Sequence, residues 1–157
     1  MKVFIIYDSK YGNTKNVAER ILEGIKQVEG IEVEISYATE VDPKIITSYD
    51  ALIIGAPNHM ASPSLTMKKF VDKLDELNLN AKNVAVFGTY SGRARVTDRA
   101  VKKMEKIVGK TLPNLNLLQP SLSVKVKGVT GPVAGGELPK CLDFGKRIGN
   151  KLKNPKI

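Results

Sequence analysis

The chain has one cysteine, one histidine and no tryptophan among its 157 residues. Cys141 alone cannot begin a disulfide framework, and Cys141 with His59 falls short of the three or four ligands of a zinc site, so metal chemistry is not expected. No apolar run approaches the roughly 18 to 20 residues that span a bilayer. Met1 leads straight into a strand-like segment with no h-region or small-residue cleavage site, and the sequence closes on Lys156 and Ile157 without a lipidation motif. These absences point to a cytoplasmic protein. At this length residues 1–157 are expected to form one domain stabilised by its hydrophobic core.

Positive charge, by contrast, is plentiful, with a net +9 at pH 7. Residues 93–110 hold seven basic and two acidic side chains and residues 140–157 hold six and one; together they supply +10 and leave the remainder near −1. Solvated helix faces account for both stretches, yet the field still favours anionic partners. No tract interleaves arginine with aromatics and no helix-turn-helix signal is present, so nucleic acid is not an expected partner.

Strand-like runs at residues 2–7, 32–37, 51–56, 83–88 and 117–126 alternate with helical periodicity. Val17, Ile21, Ile25 and Val28 place one apolar stripe along a helix from Asn13 that Gly30 follows. Met67, Phe70, Val71, Leu74 and Leu77 form a second stripe behind Pro63, which suits a first helical turn. Ala100, Val101, Met104, Ile107 and Val108 form a third, expected to end at Gly109. Cys141, Phe144, Ile148 and Leu152 share the face of a last helix that Gly149 interrupts. Only a short helix or turn is expected after Asp42 and Pro43. The continuous apolar strands call for burial on both faces, and five of them predict an open, doubly wound parallel sheet in a three-layer αβα sandwich. Residues 128–139, rich in glycine and proline, read as one long connector.

The densest chemistry lies just after the first strand. Ser9, Tyr11 and Thr14 offer hydroxyls, Asn13 an amide and Gly12 a flexible backbone, and the helix start adds free N–H groups. Ser9, Lys10, Tyr11, Gly12, Asn13 and Thr14 together predict a phosphate nest. The sequence has neither a P-loop pattern nor a dinucleotide glycine fingerprint.

This loop resembles the Ser/Thr-x-Thr-Gly-Asn-Thr phosphate loop of flavodoxins. Residues 49–57 resemble that family's third strand, residues 84–90 its fourth strand and the start of a flavin loop, and residues 141–152 its closing helix. The resemblance covers nearly the whole chain and implies a flavodoxin-like sheet of order 2-1-3-4-5 with FMN at the switch point between the first and third strands. It implies that Pro57, Asn58, His59, Met60 and Ala61 flank one side of the isoalloxazine and that Thr89, Tyr90, Ser91, Gly92, Arg93 and Arg95 flank the other. Arg93 and Arg95 facing the ring would favour anionic reduced flavin.

Three departures accompany the resemblance. Family members stack an aromatic on the ring; here the candidates are Tyr90, which could instead cover the sheet end, and His59, which could instead face solvent, with Met60 placed either against the ring or in the core. The ring loop lacks the family's glycine, leaving Asn58 as its substitute and implying weaker stabilisation of half-reduced flavin. The chain is basic where flavodoxins are usually acidic, which implies redox partners with acidic docking surfaces. Lys10 either pairs with the phosphate or points to water. The expected function is electron shuttling by a monomeric FMN protein without a substrate pocket or catalytic residues of its own. The alternatives are an FMN-dependent NAD(P)H:quinone-type oxidoreductase and an FMN-free interaction domain.

Overall fold

The computed structural model describes residues 1–59, 62–92 and 99–156. The strands are β1 (Lys2–Tyr7), β2 (Glu32–Tyr37), β3 (Ala51–His59), β4 (Ser62–Pro63), β5 (Asn83–Tyr90), β6 (Asn116–Leu117) and β7 (Leu122–Lys125). The helices are α1 (Asn13–Lys26), α2 (Leu65–Leu74), α3 (Arg99–Thr111) and α4 (Glu137–Lys153). The main path through the sheet runs β2-β1-β3-β5-β6, with β7 continuing beside β5. Its ladders are parallel: Ile5 lies between Ile35 and Ile53, and Ile53 between Ile5 and Ala85.

Because side chains alternate along a strand, each strand feeds two cores. Phe4, Ile6, Leu52, Ile54, Val84 and Val86 meet Met67 and Phe70 of α2 and Met104 and Val108 of α3. Val3, Ile5, Ile53, Ala85 and Phe87 meet Val17 and Ile21 of α1 and Phe144 and Ile148 of α4. The expected flavodoxin-like sandwich is therefore present, with helices on both faces of a mainly parallel sheet.

The sheet differs from the expected five strands in two places. The run expected as one strand over 117–126 is divided into β6 and β7, both parallel to β5. Pro120, lying between them, has no N–H to donate to a ladder. β3 also continues past Ala56 to His59, where it pairs antiparallel with β4 through Asn58↔Pro63 and His59↔Ser62. Pro63 consequently lies in a strand rather than in a first helical turn, and α2 starts after Ser64, whose hydroxyl accepts the N–H of Met67.

The helices override two of the expected glycine stops. α3 runs through Gly109 to Thr111, since Met104, Val108 and Leu112 keep burying apolar surface beyond the cost of about 1 kcal/mol for an interior glycine. α4 runs unbroken through Gly149. Its contact with α1 depends on close backbone approach: an added Cβ at Gly24 would lie 2.1 Å from the carbonyl oxygen of Leu142, and one at Gly145 2.2 Å from that of Ile21. α1, into which the loop of Ser9 to Thr14 leads, is thus held firmly from behind. The short segment after Asp42 forms as expected, a 3₁₀ turn over Pro43–Ser48 with the Asp42 carboxylate accepting the N–H of Lys44.

Candidate functional site

Parallel pairing brings the carboxyl ends of β1, β3, β5 and β7 to one edge of the sheet, where these ends and the residues beside them line a cavity of about 220 Å³. The first wall is the loop after β1. Its geometry is set by Ser9, whose buried Oγ accepts the N–H groups of Gly12 at 3.1 Å and Lys15 at 3.3 Å. Gly12 sits at φ 89°, a left-handed value that lets the loop turn directly into α1. The N–H groups of Asn13 and Thr14 have no i−4 carbonyl to reach and are left for an anion. Ser9, Lys10, Tyr11, Asn13 and Thr14 all line the cavity. Lys10 is exposed, its Nζ 5.3 Å from the centroid of the half-exposed Tyr11 ring. Among the described residues, Lys10 is the only charged side chain in the lining.

Thr14 and Thr89 share a hydrogen bond of 2.8 Å between their hydroxyls, and both residues are buried. One hydroxyl proton is used in that bond and the other remains for a third group. This ties the loop after β1 to the end of β5. Thr89, Tyr90 and Ser91 form the second wall. Tyr90 is half-buried and lines the cavity. Gly92 is exposed at φ 119° and is not part of the lining. Arg93 and Arg95 lie outside the described residues.

Pro57 and Asn58 form the third wall. Asn58 is extended within β3 and paired with Pro63, with no positive φ, so it does not reproduce the backbone freedom of the missing glycine. Its contribution lies in the side chain, because Asn58 Oδ1 is buried without a hydrogen-bond partner among the described residues. Ser62 Oγ, on the facing strand, shares that condition. His59 ends β3, while Met60 and Ala61 lie outside the described residues.

Comparison with known proteins settles the family. The family description Flavodoxin matches residues 5–126. A flavodoxin of Clostridium saccharobutylicum is 34% identical over 166 residues, covering 98% of each chain. The chain belongs to the flavodoxin family. The structure of a flavodoxin from the domain Archaea superposes with a TM-score of 0.81 at 25% identity, over 98% of this chain and 100% of that one. Oxidised flavodoxin 2 of Bacillus cereus gives 0.79 at 25% identity, over 96% and 99%. Flavodoxins are FMN-binding electron-transfer proteins, and FMN is accordingly the cofactor of this chain and electron transfer its function.

The cavity's residues fit that cofactor. Free helix N–H groups and spare hydroxyl protons suit a phosphate, and a buried acceptor without a partner, Asn58 Oδ1, suits a polar ring edge. At the end of β1, burial pushes the Tyr7 phenol above its ordinary range, reinforced by Tyr37, Glu19 and Glu40.

One set of lining residues was missing from the sequence reading: Val126, Gly128 and Val129, beyond β7. The connector expected over 128–139 folds back on itself, with Val126 bridged to Val133, Lys127 N–H donating to Pro132 O, and Ala134 N–H donating to Lys125 O. Its position at the carboxyl end of a parallel strand was the available signal, since every such loop reaches the same sheet edge.

Proposed function

We propose that residues 1–157 act as a single-domain, monomeric, cytoplasmic electron carrier that holds FMN in this cavity and docks redox proteins through acidic surfaces on those partners. The observation that carries the site assignment is the convergence of the loop after β1 and the carboxyl ends of β3 and β5 on one cavity lined by Asn58, whose Oδ1 is buried with no partner among the described residues. The N–H groups of Asn13 and Thr14 and the hydroxyls of Ser9 and Thr14 bind the phosphate, with Lys10 adding charge at the rim. Asn58 accepts a hydrogen bond from the ring, and Pro57 and Tyr90 exclude water from it. Bound FMN supplies reversible one- and two-electron redox chemistry, for which the protein sets the cost of each charge through its hydrogen bonds and fixed charges. The net charge of +9 supports the choice of acidic partners.

The test is anaerobic, stepwise reduction of the FMN-loaded protein followed by visible absorption, then addition of NADH or NADPH to the oxidised form. A carrier gives two separate one-electron stages and no bleaching by the nicotinamides. Direct two-electron bleaching by NAD(P)H overturns the carrier in favour of a reductase, and failure to retain FMN overturns the site.

A further inference from the structure

We propose that the turn-back segment 125–134 is a fourth wall of the flavin site, which braces the phosphate loop through Gly131 and covers the cofactor with Val129; this rests on the FMN reading above. The segment is anchored on both sides of the cavity. At its start, Val126 N–H donates to Tyr90 O at 2.8 Å, at the end of β5. At its turn, Gly131 adopts φ 89° so close to Asn13 that an ideal Cβ there would lie 2.2 Å from Asn13 Oδ1 and 2.7 Å from its Cγ. The contact occurs on the first residue of α1, and the left-handed backbone at Gly131 together with this close approach favours a residue without a side chain. The segment therefore bridges the two loops that Thr14 and Thr89 also join, and it limits how far the side chain of Asn13 can swing.

Val129 gives the bridge a second role. It is 72% exposed, the largest exposure among the described large apolar residues that lie outside the core, and yet it lines the cavity. Tyr11, 48% exposed, shares that combination. A valine presented to the mouth of a binding cavity gains stability when a planar apolar ligand covers it. The contact acts on the flavin's ring or ribityl chain, whereas the Gly131 contact acts through the phosphate loop.

The two contacts predict different ligand preferences. Fluorescence titration of the apoprotein with FMN and with riboflavin, alongside thermal unfolding of each apoprotein, measures both. Val129→Ser is expected to weaken FMN and riboflavin alike by about tenfold while leaving apoprotein melting unchanged, as befits an exposed residue. Gly131→Val is expected to weaken FMN by about tenfold more than riboflavin, because it displaces Asn13. Affinities of Val129→Ser within about twofold of the unaltered protein for both flavins would overturn the fourth wall, whatever the folding of the Gly131 variant. Equal losses of FMN and riboflavin in a folded Gly131→Val would overturn the bracing role. Failure of the unaltered protein to bind FMN would instead strike the FMN reading itself, which separates the two.

Discussion

At the loop after β1, Ser9 Oγ already holds two backbone N–H groups and Thr14 is bonded to Thr89; at the hairpin of β3 and β4, Asn58 Oδ1 and Ser62 Oγ are buried with no partner among the described residues. The first region is held in place by these internal bonds before any ligand arrives, with the Asn13 and Thr14 N–H groups left over, and rests on α1, which α4 clamps at Gly24 and Gly145. The second carries a desolvation cost that a hydrogen bond from a ligand can offset. One end of the cavity is thus preorganised, while the other is poised to gain from binding. Affinity anchored at the preorganised end leaves the hairpin end free to respond to changes in the ring, an arrangement suited to a cofactor that changes charge without leaving.

Breaking the support of the first region should have the largest effect. Gly145→Val drives a side chain into the carbonyl of Ile21 and is expected to cost about 3 kcal/mol or more, read as a lower urea midpoint, with FMN affinity falling in parallel. A wild-type midpoint would mean that α1 and α4 can separate freely. Thr14→Ala tests the preorganised end directly: a lost charge-assisted hydrogen bond of about 2 kcal/mol should weaken FMN more than tenfold and riboflavin much less. Equal losses for both ligands would remove the phosphate role.

Asn58→Leu sharpens the contrast through opposite signs. Removing a buried amide oxygen that has no partner among the described residues is expected to stabilise the apoprotein by about 1 kcal/mol while weakening FMN and riboflavin by similar factors. Destabilisation of the apoprotein would show that this end, too, is satisfied without a ligand. The smallest effect is alkaline. Burial, reinforced by Glu137, pushes the Cys141 thiol up to about 12 from 9.0, and burial, reinforced by Glu34, pushes the Tyr49 phenol up to about 12 from 10.0. Below pH 9 both groups are protonated in the folded and unfolded chains alike. As pH rises above 9 the unfolded chain releases the Cys141 proton first, so stability falls, by just under about 1 kcal/mol at pH 9.5. Denaturant titrations of Cys141→Ala should move the onset of that decline to the Tyr49 range near pH 10, and an unaltered profile would remove Cys141 as its cause.

The positions of β1, β2 and α1 were legible in the sequence because each depends on residues close together in the chain: an apolar run for a buried strand, a three-and-four spacing for a helix face, glycine before a helix start. The family resemblance put Asn58 and Thr89 beside the loop of Ser9 to Thr14, at the sheet edge to which parallel strands deliver their loops; the local reading by itself reached only that loop. It failed where glycine was taken as a stop. Gly109 lies within a helix whose buried face outweighs its low propensity, and Gly149 marks where α4 passes close to Val28, with an added Cβ only 2.9 Å from Val28 Cγ2.

Periodicity and loop chemistry by themselves determined the layers, the parallel sheet and the sharp loop from β1 into α1, because hydrophobic burial and backbone sterics act within a few residues of chain. The tertiary structure alone decided that Thr14 meets Thr89 across 75 positions, that Asn58 Oδ1 is buried with no partner among the described residues, and that Gly131 lies against Asn13. Those contacts depend on how distant segments fill a common space, and close packing specifies that only once every neighbour is in place.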